Sequence, residues 1–287
     1  MTTRRARLLT LCARWGVCMA LSAAAVGAER STQLEALTWT ELRERIDAGA
    51  TTILLPIGGT EQNGPHMVLG KHNLRVRALA QRIAMALGNA LVAPVLSYVP
   101  EGSIAPPTSH MRYAGTISIP EAAFESVLEG AARSLRQHGF RDVVLLGDHG
   151  GYRASLERVA TRLNREWGRG SGAVVARVHA LPEYYRAAQR GHAELLAARG
   201  FGAAEIGNHA GLADTSLTLA IDAALVRQDR LAHAASGRDG VDGDPARATA
   251  ELGQLGVQHI VEASLSALRG RLTTAPAAAR VAPAGKP

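Results

Sequence analysis

Two short apolar runs constrain this chain most. "TTILLPIG" (51–58) and "RDVVLLGD" (141–148) are rich in leucine and β-branched residues, show no polar alternation inside, and close on glycine. A strand with one wet face alternates apolar and polar residues, whereas an unbroken apolar run belongs to a strand covered on both faces. Segments with helical periodicity separate these runs and two further strand candidates, "ALVAPVLSYV" (90–99) and "AVVARVHA" (173–180). The helices are expected in 38–50, 73–88, 120–139, 149–168, 182–200 and 208–226, and "GTISI" (115–119) reads as a short extra strand. Thr38 or Thr40 could cap the first helix, with Glu41 three residues after Thr38, and Asp214 or Thr215 could cap the one in 208–226. Strand–helix alternation with buried strands predicts an α/β fold, a mostly parallel sheet layered between helices. Ligands of such sheets bind beyond the carboxyl ends of the strands.

The N-terminus stands apart. Arg4, Arg5 and Arg7 precede an apolar run that ends in small residues at Val26-Gly27-Ala28. This is the layout of a secretory signal peptide cleaved after Ala28, with Arg14 interrupting a run too short to span a bilayer. Export, by the general secretory route rather than the twin-arginine one, is expected, and with it a periplasmic protein with no stable membrane insertion. Both cysteines, Cys12 and Cys18, lie inside the signal, so disulfide and thiol chemistry are excluded from the mature chain. The first 28 residues hold four arginines and no acid, which leaves 28 basic against 25 acidic residues, or +3, of a whole-chain charge of +7. No basic stripe interleaved with aromatics appears, so nucleic acid is not an expected partner. The expected organisation is a signal peptide (1–28), one catalytic domain (29–275) and an Ala/Pro-rich disordered tail (276–287).

Potential chemistry gathers at the ends of the apolar runs. "LLPIGGTEQNGPHMVLGKHN" offers Glu61, Asn63, His66 and His72 just past a strand. "GDHGGY" sets His149 directly after the buried run, and "NHAGLADTS" holds His209 and Asp214 across a glycine turn. His110 and Arg112 sit in the long loop before "GTISI". Each has a plainer reading: Asp148 or Asp214 as a helix cap, His66 as a hydrogen-bonding brace, His110 and Arg112 as a solvated rim. His138, His179, His192, His233 and His259 lack such loops and are read as structural.

Taken together, "GGTEQNGPHMVLGKHN", "GTISI", "GDHGGY", "HAGLADTS" and "GVDGDPARATAELG" resemble, in order and approximate spacing, the blocks of the creatininase (creatinine amidohydrolase-like) family, over roughly 39–268. The resemblance implies a three-layer α/β/α sandwich, a divalent metal site that is often dinuclear, hydrolysis of C–N bonds in amides or cyclic amides, and a homo-oligomer, commonly a hexamer. The family's Glu-x-His-Gly-x-His opening is kept at Glu61 and His66 but carries Asn63 at its first histidine. His72 stands where an aspartate usually bridges two metals. The family's "NGHGGN" becomes "GDHGGY", and Asp214 replaces a glutamate.

A carboxylate can bridge two cations, whereas an imidazole has one lone pair for one metal. The resemblance, so altered, implies a single metal on Glu61, His72, His149 and Asp214, a mixed set suited to zinc, manganese or iron. Glu61 and His209 would be catalytic, His209 moving the proton. His110, Arg112, Asn63 and His66 would face a small-molecule substrate. The expected function is metal-dependent hydrolysis of a small amide or cyclic amide. The alternatives are a periplasmic small-molecule or metal-binding protein on the same fold, or a lactone hydrolase. Cleavage after Ala28 is checked by intact mass: the protein recovered from the periplasm should begin at Glu29.

Overall fold

The computed structural model describes residues 31–169, 176–234 and 237–272. The expected signal peptide and tail fall outside them. Among the described residues, β1 (Thr52–Ile57), β2 (Ala90–Val92), β3 (Asp142–Gly147) and β4 (Arg177–Ala180) form one parallel sheet in the order β2-β1-β3-β4. The connections are helical: α1 (Trp39–Asp47) precedes β1, α2 (Lys71–Leu87) joins β1 to β2, α3 (Glu121–Gln137) joins β2 to β3, and α4 (Arg153–Trp167) joins β3 to β4. α1 carries the expected capping box: the Glu41 N–H donates to Thr38 Oγ1, and Glu41 Oε2 accepts from the Thr38 N–H at 2.7 Å.

Period-two side-chain alternation explains why the strands are apolar throughout. Ile53, Leu55, Ile57, Val143 and Leu145 pack on Phe124 and Leu128 of α3 and Leu156, Val159 and Leu163 of α4. Leu54, Val144 and Leu146 point the other way, onto Val76, Leu79 and Ile83 of α2. That second face also receives the continuous helical segment 182–197, comprising α5 (Pro182–Arg186), a wide π turn (Ala187–Gly191) and α6 (His192–Ala197). After α7 (Ala203–Ile206), α8 (Leu212–Ile221) and α9 (Ala250–Arg271) complete the layer. α9 crosses α8 at Gly253, where a Cβ would lie 1.8 Å from the Ser216 carbonyl oxygen. The result is a three-layer α/β/α sandwich. No described helix is long and apolar enough to cross a membrane.

Three sequence expectations shift. The expected strand 90–99 stops at Val92. Pro94 follows, and the chain then meets β1 again at Leu96, whose carbonyl accepts the Gly58 N–H and whose N–H donates to the Pro56 carbonyl, both at 3.0 Å. "GTISI" contributes a single bridge, Val99 to Ser118. α2 begins at Lys71 rather than Asn73, which moves His72 from the loop into the first helical turn. The outer edge of β2 is met by the segment before α1, with Gln33 bridged to Val92 and the Val92 N–H donated to Thr32 O at 2.8 Å.

β1 connects to β2 on one side and pairs with β3 on the other, so the crevice between their carboxyl ends is a topological switch point. Tyr152 holds it at a fixed width. Its buried hydroxyl accepts the Asp148 and His149 N–H groups (3.2 and 3.1 Å) and donates toward the Ile57 and Gly58 carbonyls (2.8 and 2.7 Å). Tyr152→Phe keeps the ring and strands these groups, so it should cost about 2 kcal/mol in urea unfolding.

Candidate functional site

Four segments converge on the crevice: the loop after β1, the first turn of α2, the β3–α4 turn, and the turn entering α8. Their buried base is a chain of ionic contacts. The Tyr184 hydroxyl donates to Asp148 Oδ1 (2.7 Å). Asp148 Oδ2 meets His72 Nδ1 (2.6 Å), and His72 Nε2 meets Glu61 Oε1 (2.8 Å). A carboxylate oxygen only accepts, so both contacts form together only with a proton on each ring nitrogen. Arg75, wholly buried, donates from Nε to Asp148 Oδ2 (2.9 Å) and from Nη1 to Asp214 Oδ1 (2.6 Å). The buried Lys71 ammonium pairs with Asp214 Oδ2, which also accepts the Ala210 N–H at 3.0 Å. Burial alone would push all three carboxyls up. Arg75 and His72 reverse this for Asp148, Lys71 and Arg75 for Asp214, and His72 for Glu61, so all three are held below the usual range.

Above this base a cleft of about 150 Å³ opens, lined by His110, His149, Tyr185, Gln189, Asn208 and His209 among others. Glu61 stands between three imidazoles: Oε2 lies 3.3 Å from His110 Nε2 and 3.5 Å from His149 Nε2, and Oε1 lies 3.9 Å from His209 Nδ1. Gln62 orients two of them. Its side-chain amide donates to His110 Nδ1 (2.9 Å), which leaves the His110 proton on Nε2, toward Glu61. The amide's two protons go to His110 Nδ1 and the Gly240 carbonyl (3.1 Å), so His209 Nε2, 3.0 Å from both the amide nitrogen and the Gln62 backbone carbonyl oxygen, donates to that oxygen and keeps its lone pair on Nδ1. Burial lowers His149 to about 4 and, together with the Lys71 charge, His209 to about 3, so both are neutral imidazoles at physiological pH.

Two groups of side chains could each close on a metal ion, and they share Glu61: Glu61 with His110 and His209, and Glu61 with Glu101 and His149. Orphaned atoms separate the two. Glu61 Oε2 and both oxygens of Glu101 are buried without a hydrogen-bond partner, and His149, whose Nδ1 accepts the Gly151 N–H at 3.2 Å, turns Nε2 toward Glu61 Oε2. Buried, unpartnered carboxylate oxygens beside an imidazole are what a divalent cation would satisfy, so the residues present fit such an ion.

The structure distributes the residues expected from sequence as follows. Glu61, His72 and His149 come together, with His110 and His209 beside them. His72 has both nitrogens turned to carboxylates, and Asp214 has both oxygens turned to Lys71 and Arg75, so neither presents a free ligand atom here. Asp214 lies in the first turn of α8, which starts after Gly211 with no side-chain cap. Asn63 is buried and donates to the Glu61, Val68 and Leu69 carbonyls, bracing the loop. His66 is equally enclosed and meets Thr215 Oγ1 at 2.9 Å. Arg112 is exposed, away from the cleft lining.

Lys71, Arg75, Gln62, Glu101 and Tyr184 were not singled out by sequence reasoning. Lys71, His72 and Arg75 share a helical face only once α2 is extended to Lys71. A carboxylate framed as Pro100-Glu101-Gly102 after a strand was the available signal for Glu101.

Burial lowers His66 to about 4. An unfolded chain protonates this side chain near 6.5, so the folded form is fully favoured above that pH and loses stability as pH falls from about 6.5 to 4. Between pH 7 and 4 the protein should lose roughly 3 kcal/mol more than His66→Gln does, read from urea-unfolding midpoints at each pH.

Comparison with known proteins places this architecture. The creatininase family profile, described as creatinine amidohydrolase, matches residues 35–268. The creatinine amidohydrolase of Pseudomonas putida is 34% identical over 113 residues, 39% of this chain and 43% of that protein. The mycofactocin precursor peptide peptidase of Mycolicibacterium smegmatis is 33% identical over 125 residues, 42% of this chain and 47% of that one. The matched stretches thus span less than half of these curated relatives. Among solved structures, a manganese creatininase aligns with TM-score 0.68 at 26% identity, covering 85% of this chain and 100% of that one. A Zn–Zn creatininase mutant aligns with TM-score 0.66 at 25% identity, covering 85% and 99%. With the profile spanning nearly all of the described residues and the fold shared from end to end, the chain belongs to the creatininase family.

Proposed function

We propose that this protein is a metal-dependent hydrolase of a C–N bond in a small amide or cyclic amide. The observation that carries the reading is Glu61: a buried carboxylate with one oxygen fixed by His72 and the other unpartnered beside the His110 and His149 imidazoles. Family membership supports it, as do relatives named for creatinine and peptide hydrolysis and the zinc and manganese forms of the solved creatininases.

Glu61 and His149 would hold the metal, zinc first, with manganese or iron suited to the same donors. When bound, it would polarise the substrate carbonyl and supply an activated water. One metal per chain is proposed rather than two, because Asp214 is already neutralised by Lys71 and Arg75 and Asn63 spends its amide on loop carbonyls. His72, set between Asp148 and Glu61, keeps Glu61 ionised and aimed. His209, resting neutral with its Nδ1 lone pair toward the cleft, takes a proton from the attacking water and returns it to the departing nitrogen. His110 donates from Nε2, and Tyr185, Gln189 and Asn208 supply further polar contacts in a cleft that admits only a small substrate. Assembly as a homo-oligomer and action in the periplasm after export complete the proposal.

Elemental analysis of the protein from Glu29 onward, paired with an amide and lactam screen, tests it. The wild type should carry one metal per chain and lose activity on chelation, and His149→Ala should lose the metal. His209→Gln should keep the metal while kcat falls by about 10²- to 10⁴-fold. A native protein that takes up no metal even after reconstitution would replace this reading with that of a small-molecule binder.

A further inference from the structure

We propose that Glu101 is a metal ligand, completing a Glu61–His149–Glu101 set at the carboxyl edge of β1 and β3; the assignment rests on the metal-dependent reading above.

The backbone fixes where this side chain goes. The Glu101 N–H donates to Ser118 Oγ (3.0 Å), and the Ser118 hydroxyl donates to the Gly102 carbonyl (2.7 Å), which pins the chain on both sides of the residue. The side chain then runs inward and is wholly enclosed. Both of its oxygens lack a hydrogen-bond partner. An enclosed carboxyl with neither oxygen satisfied is costly, and native structures seldom keep one without a partner.

The surroundings are shaped to receive it. Gly59 adopts φ +154°, and a Cβ there would stand 2.4 Å from Glu101 Oε1, so the absence of a side chain on the loop after β1 makes room for this carboxyl. Glu101 Oε2 lies 3.5 Å from His149 Nδ1, and Glu61 Oε2 lies 3.5 Å from His149 Nε2. One atom from each of Glu61, Glu101 and His149 can be chosen so that all three lie within 4.8 Å of one another. Ligands held about 2.1 Å from a metal sit roughly 3 to 4 Å apart, so small side-chain rotations close the set. Burial and the nearby Glu61 carboxylate both penalise a second negative charge at this place. A divalent ion between the two carboxyls removes both penalties. Two carboxylates and one imidazole leave positions for water and substrate, and suit manganese or iron as well as zinc.

The test uses the mature wild type beside Glu101→Gln, which keeps the shape and removes the charge. The readouts are Zn²⁺ affinity by chelator competition, the visible d–d bands of the Co²⁺-loaded proteins, and the thermal midpoint of the metal-free forms. Metal-free E101Q should be at least as stable as metal-free wild type. It should bind Zn²⁺ more than ~100-fold more weakly, beyond the 10- to 100-fold that loss of an outer hydrogen-bond partner costs, and its cobalt bands should shift.

Unchanged affinity, or a weaker affinity with unchanged bands, would overturn ligation by Glu101 and leave the metal-dependent reading standing. A wild type that binds no metal would overturn both. If E101Q does not fold, Glu101→Asp, which keeps the charge and withdraws it by one methylene, should show the same weakened affinity and altered bands.

Discussion

The site depends on a single buried guanidinium. Arg75 sits four residues past the start of α2, one turn beyond Lys71, and is fully enclosed, yet it answers Asp148 just past β3 and Asp214 at the start of α8. A buried charge without partners is expelled or neutralised. Arg75 can therefore occupy this position only if both carboxylates are present and correctly placed, and they can be buried only if Arg75 is there. Three elements distant in sequence are thereby held at one spacing. His72, one helical turn from Arg75, inherits its orientation from the same Asp148, and Glu61 inherits its own from His72. The geometry of the cleft is set from beneath, by ion pairs that are almost wholly enclosed.

The division of labour among carboxylates follows from that base. Asp148 and Asp214 are fully answered by Arg75, Lys71, His72 and Tyr184 and are structural charges. Glu61 is half answered, by His72 on one oxygen. Glu101 is not answered at all. Ordered by satisfaction, the four grade from scaffold to function, and the least satisfied two flank His149. The histidines divide in the same way: His66 and His192 are enclosed with structural partners, Thr215 Oγ1 and the Leu252 carbonyl, while His110, His149 and His209 turn toward the cleft.

Much of the fold could be read from the chain because burial on both faces writes itself into composition. "TTILLPIG" and "RDVVLLGD" became β1 and β3, the central pair, and the capping box at Thr38 and Glu41 marked α1 correctly. The peripheral strands were harder, since Pro94 removes a donor and ends β2 early while apolar residues continue beyond it. Family membership was legible in the order of the glycine-framed blocks, which need no exact strand boundaries. The ionic base was less visible. Arg75 fell inside the expected helix and Lys71 before it, and only the tertiary fold shows that the two share a face buried against Asp148 and Asp214. Glu101 was hidden for a related reason: its neighbours Glu61 and His149 come from the loop after β1 and the turn after β3, 40 residues before it and 48 after it, and no local spacing announces them.

The pairing of Gln33 with Val92 has a consequence for how copies of this protein can meet. A parallel sheet with open margins invites another sheet to continue it. Here the β2 margin is met by the chain's own residues 32 and 33. The opposite margin, β4, spans four residues, bears the exposed Arg177, and has its last carbonyl, that of Ala180, taken by Arg271 at 2.9 Å. Among the described residues neither margin is a free template for strand addition, which leaves helices and loops, the same surfaces that frame the mouth of the cleft, as the faces through which copies could meet.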